Sequence, residues 1–416
     1  MSTFTHNSMA SMLNLQGLII YKLSSDKKTI NIKIGQPRKP SSCPYCNHNK
    51  LHSHGYGRNR SIKHGLAISG QMIILNWRSK RYKCLSCLRS FSQSPPKSLV
   101  TGRDRSSTVF NRQALREMQE KSFSSVAKNM RVSYTVLNKI ITREVKENSL
   151  FELPKHGDIS IGVDEHAFLK RKLATTMTLI TPNKTLLGII PTATSKALNN
   201  WIDTNFSEID KQRVTEIAID MTKSLKKQLR LQFPNAKFVI DKFHVVSYLN
   251  NIIKEEYNLT AKYSLKPEDK AKLPIRTKDL HITRVLAQDT SKWKPKRKQQ
   301  VETVFKLMPK VAELWYAKEE MRAIYKECID REEARERCQF VISLLPKKAR
   351  GTITKHLEEI LNYFDKHTTN AFTEGCHTKM KKLKRVSFGL KNPEIYVKKL
   401  ELAFIPREKL IYPHTF

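Results

Sequence analysis

At 416 residues the chain is too long for one ordinary core, and its 39% hydrophobic content excludes wholesale disorder. Lys and Arg total 76 against 38 Asp and Glu, a formal net charge of +38. That excess is far beyond what solubility needs; it selects a polyanionic partner, nucleic acid first. A membrane-surface role is disfavoured because no long amphipathic basic helix is followed by an anchor. No apolar run approaches the roughly 20 residues of a bilayer span. Residues 1–8 lack a charged segment followed by an apolar one. The expected compartment is therefore the cytoplasm, with no membrane partner.

Residues 15–35 read as a β-hairpin: β-prone Gly17–Leu23, a polar turn at 24–28, then alternation over Thr29–Gly35. Cys43-Pro-Tyr-Cys46 and Cys84-Leu-Ser-Cys87 follow as two CxxC knuckles. Four thiolates are the tetrahedral set that structural zinc prefers, and the odd total of seven cysteines argues against a disulfide framework. The gap carries its own β-prone run, Gln71–Trp77, which would take the chain away and back as a zinc ribbon. Arg58, Arg60, Lys63, Arg78, Lys80, Arg81 and Lys83 surround the knuckles and suit phosphate contact. His48, His52, His54 and His64 are expected at the surface or facing DNA.

Residues 93–107, with adjacent prolines, read as a linker before a helix over 108–120. Ser124 or Ser125 is positioned to cap one short helix and Ser133 a second, with Val126, Ala127, Met130, Val132, Val136 and Ile140 as their shared core. That is a helix-turn-helix. Its second helix, carrying Ser133, Tyr134, Asn138 and Lys139, is the expected major-groove reader.

Beyond Pro154 and Gly157, strands and helices alternate, the pattern of an α/β layer. A strand over 159–163 delivers Asp164; residues 175–190 form a hairpin; Val214–Ile219 ends at Asp220; a helix spans 224–233; and Ala236–Ile240 ends at Asp241. Carboxylates at strand ends are where an open α/β sheet places its site. Residues 251–360 change to charged helical sequence and read as an insertion, in which Cys328 and Cys338 are packing residues. Late in the chain, Asn370 and Glu374 share one helix face, followed by Lys379, Lys381, Lys382, Lys384 and Arg385. Hard carboxylate oxygens suit Mg²⁺, and paired metals suit phosphodiester cleavage. On the residues alone, Asp220 and Asp241 compete as the second acid.

In block order the sequence resembles the DDE transposases of bacterial insertion sequences, specifically the ISL-three family. The resemblance rests on the CxxC pairs, the helix-turn-helix, Gly162-Val-Asp-Glu-His-Ala-Phe, Asp220-Met, Phe233-Pro-Asn-Ala, Asp241-Lys-Phe-His-Val and Asn370-Ala-Phe-Thr-Glu-Gly. It implies an α/β fold: a ribonuclease H-like catalytic core over 153–250 and 361–416, interrupted by a helical insertion over 251–360. A zinc ribbon at 1–100 and a small all-α helix-turn-helix domain at 101–152 precede it. It implies Asp164, Asp220 and Glu374 as catalytic Mg²⁺ (or Mn²⁺) ligands, with Asp241 and His244 in a DNA-positioning block. Cys43, Cys46, Cys84 and Cys87 would hold structural Zn²⁺. Ser133, Tyr134, Asn138, Lys139, Asn370, Lys379, Lys381, Lys382, Lys384 and Arg385 would contact DNA. The implied activity is binding of terminal inverted repeats, cleavage and strand transfer into target DNA, by a homo-oligomer associated with the nucleoid. The rivals are a regulator derived from an inactive transposase and a metal-dependent nuclease that does not join strands.

Overall fold

The computed structural model describes residues 10–169, 172–221, 225–274, 281–387, 390 and 392–411. The chain forms two compact units, Met1–Ser149 with Leu383–Phe416, and Leu150–Lys382.

In the first unit, β1 (Ile19–Ser25) and β2 (Thr29–Gly35) form the expected antiparallel hairpin. The Asp26 carboxylate closes its turn by accepting from the amides of Lys28 at 2.7 Å and Thr29 at 2.8 Å. β3 (Leu51–Tyr56), β4 (Arg60–Leu66), β5 (Met72–Trp77), β6 (Lys80–Cys84) and β7 (Ser90–Ser92) complete two sheets, ordered β1-β2-β5-β4 and β3-β6-β7. The strand β5 therefore lies outside the ribbon that it was expected to build. Its Leu75 and Trp77 need a larger apolar partner, and they find it in Leu15, Ile32, Ile34 and Ile62. The ribbon core is small by comparison: Cys43, Leu51, Tyr82 and Cys84.

Residues 93–107 are packed rather than linking freely. Leu99 and Val100 join the core, and Trp77 Nε1 donates to the Gln93 carbonyl at 3.1 Å. His64 is also buried, against Ser107 Oγ at 2.9 Å and the Leu13 carbonyl at 2.6 Å, so it does not face DNA. His52 and His54 are exposed, as expected.

Three helices follow, Thr108–Glu120, Phe123–Asn129 and Tyr134–Glu147, capped by the hydroxyls of Ser107, Ser122 and Ser133. Ser122, not Ser124 or Ser125, caps the middle helix because its hydroxyl accepts from the Ser125 amide at 3.1 Å. The core uses Val126, Met130, Leu137, Ile140 and Ile141, while Val136 turns outward. The helix Pro393–Phe404 packs in the same unit. Its buried Lys399 ammonium donates to the carbonyls of Met118 and Lys121, and Gln119 Nε2 donates to those of Leu402 and Ile405. Residues 361–416, expected together in the α/β domain, are thus divided between the units at 382 and 383.

The second unit is built on a five-stranded sheet of β8 (Ile159–Leu169), β9 (Lys172–Thr181), β10 (Thr185–Ile190), β11 (Val214–Ile219) and β12 (Lys237–Ile240). The order is β10-β9-β8-β11-β12; β10, β9 and β8 are antiparallel, and β8, β11 and β12 are parallel. This is the mixed α/β arrangement of a ribonuclease H-like core. One face is apolar: Ile159, Ile161, Val163, Met177, Leu179 and Ile217 pack on Leu198, Ile202 and Leu229 of the helices Ser195–Asn205 and Lys226–Gln232. The expected start of the latter helix at residue 224 lies outside the described residues.

From Lys242 to Ile411 every described element is helical. The insertion core, including Leu249, Ile253, Leu314, Met321 and Val341, is continuous with Val239 and Ile240 of β12. The helical region is therefore built onto the sheet edge, where the helix Lys242–Leu259 follows β12 directly. Cys328 and Cys338 are packing residues, and burial pushes the Cys338 thiol up to about 12. No helix among the described residues is long and apolar enough to cross a membrane.

Candidate active site

Alternation along β8 gives the sheet two unlike faces. Odd positions Ile159, Ile161 and Val163 enter the apolar core; even positions Ser160, Gly162, Asp164 and His166 face the other way. The helix Ala371–Val386 covers that second face. The contact is polar: Thr178 Oγ1 meets Thr373 Oγ1 at 2.7 Å, and Glu216 accepts from the hydroxyls of Ser160 and Thr368. Gly162 permits the close approach. A Cβ there would stand 2.4 Å from Thr373 Oγ1 and 2.5 Å from Asn370 Oδ1.

Asp164 lies inside β8, opposite Thr176 of β9, and not at the strand end expected for it. It is at an edge all the same, because β11 stops at Ile219. The parallel register pairs Gly162 with Ala218 and Ile219 with Ile240. Continuing that register sets Asp164 beside Asp220, and Asp220 beside Asp241.

Glu374 reaches the same region from the first turn of its helix. Burial raises its carboxyl above the ordinary range, reinforced by the charges of Asp241 and Asp164 and opposed by His244 and His377. His244 Nε2 stands 3.7 Å from Glu374 Oε1. Asp164, Asp241, His244, Glu374 and His377 therefore share one electrostatic neighbourhood. Asp220 is half-buried at the end of β11.

Asp241 is committed differently from the other acids. One oxygen caps the helix Lys242–Leu259 by accepting from the Phe243 amide at 2.7 Å; the other accepts from the Asn370 amide at 2.7 Å. It is 3% exposed, whereas the side chains of Asp164 and Glu374 are 14% and 33% exposed. Asn370 is fully buried, so it is not presented to DNA; its side-chain oxygen and nitrogen have no hydrogen-bond partner among the described residues.

His377 and His166 were not singled out from the sequence. His377 Nδ1 lies 3.2 Å from Asp164 Oδ2, and its Nε2 lies 3.0 Å from Thr176 Oγ1. Thr176 Oγ1 is in turn 3.3 Å from His166 Nδ1. Burial works against ionisation of Asp164, but the hydrogen bond and charge of His377 outweigh it and hold the carboxyl below its ordinary value. The available signal was spacing: His377 is three residues from Glu374 on one helix face, and His166 is two residues from Asp164 on one strand face.

In the first unit the four knuckle cysteines converge, with every Sγ within 4.8 Å of the others. Cys43 and Cys87 approach to 3.7 Å, Cys46 and Cys84 to 3.6 Å. Amide donors from Cys87 and Ser86 lower the Cys84 thiol to about 7. A softened thiolate in an all-sulfur tetrad is the chemistry of structural zinc. No other set of this kind occurs among the described residues, so the carboxylates of the second unit are not drawn into an equally tight cage.

Comparison with known families separates these sites. The model of the ISL3-type DDE family, described as "Transposase", matches residues 161–400. The chain belongs to this transposase family. A second match, "zinc-finger of transposase IS204/IS1001/IS1096/IS1165", covers residues 39–87 and spans the four knuckle cysteines, Cys43, Cys46, Cys84 and Cys87. No curated protein gives a significant match.

The expected DNA-facing residues of the transposase are placed unevenly. Ser133 is used as a helix cap, and Tyr134 is 42% exposed while its ring packs 5.1 Å from that of Phe123. Asn138 is half-buried, and Lys139 pairs with Asp104 at 2.5 Å. Lys379, Lys381, Lys382, Lys384 and Arg385 are exposed along the late helix.

Proposed function

We propose that this transposase binds the terminal inverted repeats of its own mobile element, cuts them with a divalent metal and joins the released 3′ ends to target DNA. The observation that carries the reading is the gathering of Asp164 and Glu374 on the polar sheet face, with Asp220 next in register. Asp164, Asp220 and Glu374 offer only hard oxygen donors, the set that suits Mg²⁺ or Mn²⁺. Bound there, a divalent ion would supply charge stabilisation and an acidified water for in-line displacement at phosphorus.

The protein's own groups divide the remaining work. Asp164 and Glu374 keep part of their carboxylates accessible, as ligands must. Asp241 has both oxygens tied to amides that open two helices, which supports a positioning role and favours Asp220 as the second ligand. His244, whose Nε2 stands 3.7 Å from Glu374 Oε1, lies beside the acid set, where an imidazole suits contact with a phosphate oxygen. The exposed lysines after Glu374 suit the backbone of the cut end. The zinc ribbon and helix-turn-helix would read the repeats, and both chemical steps by one acid set need no protein nucleophile.

The test is cleavage and joining of duplexes carrying the element's ends, scored in one reaction with Mg²⁺. Asp164→Asn, Asp220→Asn and Glu374→Gln should each lower both steps by at least about 10³-fold without changing repeat binding. Asp241→Asn should act mainly by destabilising the fold, by about 1–3 kcal/mol for a weakened buried acceptor. Full activity in Asp220→Asn with a dead but folded Asp241→Asn would exchange their roles. Cleavage without joining would identify a nuclease, and repeat binding without either step a regulator.

A further inference from the structure

The helix that carries Glu374 also delivers a second functional group to the sheet. Its residues Thr373, His377 and Met380, with Asn370 just ahead of it, are all buried against the polar face. Packing alone would accept an apolar side chain at position 377, as it does at Met380. A buried imidazole is instead held at both nitrogens, by Asp164 Oδ2 at 3.2 Å and Thr176 Oγ1 at 3.0 Å. Asp164 Oδ1 accepts from the Glu165 amide at 2.8 Å. The carboxylate is thus fixed from two directions, one by its own strand and one by the helix bearing Glu374.

We propose that His377 is a positioning residue for Asp164: its Nδ1–H locks the carboxylate rotamer and thereby couples the placement of the first acid to that of Glu374. The inference rests on the reading of Asp164 and Glu374 as metal ligands. Each carboxylate oxygen has further lone pairs, so one hydrogen bond to each leaves acceptor capacity for an ion. A ligating carboxylate that is itself hydrogen-bonded binds metal more tightly, because its orientation is fixed before the ion arrives; removing such a partner costs roughly 10- to 100-fold in affinity. Thr176 completes the arrangement. Its hydroxyl, 3.0 Å from His377 Nε2, holds the ring from the other side, so that Nδ1–H faces Asp164. His166, at 3.3 Å from the same hydroxyl, limits how Thr176 can turn.

The arrangement makes an unusual demand on substitutions. An Asn side chain places its amide near the position of the histidine Nδ1, whereas Gln places it near Nε2. His377→Asn should keep the donor to Asp164; His377→Gln should keep only the Thr176 contact; His377→Leu, close in size to Asn, should keep neither. The measurement is Mn²⁺ binding to the full-length, DNA-free protein, followed by the paramagnetic signal of free Mn²⁺, with thermal unfolding of each variant alongside.

The expected result is that Leu and Gln weaken Mn²⁺ binding roughly 10- to 100-fold, and that Asn restores it to within a few-fold of wild type. Equal affinity in wild type and His377→Leu would overturn the proposal. So would an affinity loss that follows melting temperature across all three variants, since that marks a merely structural residue. If His377→Leu does not fold, the comparison of Asn with Gln decides alone: equal Mn²⁺ affinity in the two sinks the idea. Asp164→Asn and Glu374→Gln serve as the control. If neither changes Mn²⁺ affinity, the metal-ligand reading itself fails, an outcome distinct from failure of His377 alone.

Discussion

Gly162 decides how near Glu374 can come to Asp164. It sits two residues before Asp164 on the same strand face, directly beneath Asn370 and Thr373. A methyl group there would meet Thr373 Oγ1 at 2.4 Å, Asn370 Oδ1 at 2.5 Å and Thr178 Oγ1 at 2.7 Å, all inside contact distance. Those side chains are buried, so the relief has to come from the helix lifting away. Gly162→Ala is expected to destabilise the second unit by about 1–3 kcal/mol, the usual cost of overpacking. Its effect on cleavage should exceed its effect on stability, because a shift of even 1 Å in catalytic geometry can cost about 100-fold. Urea unfolding and cleavage rates on one preparation check both. Unchanged cleavage would mean that the helix and sheet need not approach this closely.

Among the elements, the ribbon is the one whose stability depends most on an ion. Its three strands share a core of Cys43, Leu51, Tyr82 and Cys84, supported by Cys87 and Phe91. Half of that cluster is ligand sulfur, and so small an apolar core does not hold a sheet alone. Chelation of zinc, or Cys46→Ser, should therefore speed amide exchange in β3, β6 and β7 by roughly tenfold or more, while β8 and β11 keep their protection. Protection retained in the ribbon after chelation would count against the tetrad as its support. This element was legible in the sequence because its four ligands carry their own spacing. The membership of β5 was not, because alternation reveals a strand but not which sheet it joins. The same limit applies to Asp164: residues 159–163 read as a strand, yet nothing local told that pairing with β9 carries it on to Leu169. His377 escaped because its meaning comes from a residue more than 200 positions earlier, and a lone histidine on a basic helix has no local signature.

At the scale of the whole molecule, the excess charge of +38 is not spread evenly between used and free cations. Many basic side chains are already neutralised internally. Lys226 pairs with Glu359 at 2.6 Å, Arg337 with Glu320 at 2.7 Å, and Arg331 with Glu358 at 2.6 Å. In the helix-turn-helix, Asp104 takes both Lys139 and Arg143 at 2.5 Å. Lys381 and Lys382, by contrast, are exposed and pair with no carboxylate among the described residues. Free cations of this kind release counterions from DNA when they bind, and each such contact contributes about −0.9 to the slope of log K against log salt concentration. Lys139 has first to leave Asp104, so its net contribution is smaller. Titrating DNA that carries a terminal repeat, at several salt concentrations, should give a steep slope for the wild type. Removing Lys381 and Lys382 together, each to Ala, should flatten that slope by up to about 1.8, and Lys139→Ala by less than about 0.9. The lysine pair should weaken binding to repeat and unrelated DNA alike, because phosphate contacts position without reading sequence. A loss confined to the repeat, with the slope unchanged, would instead place these two lysines against base edges and overturn their assignment to the backbone.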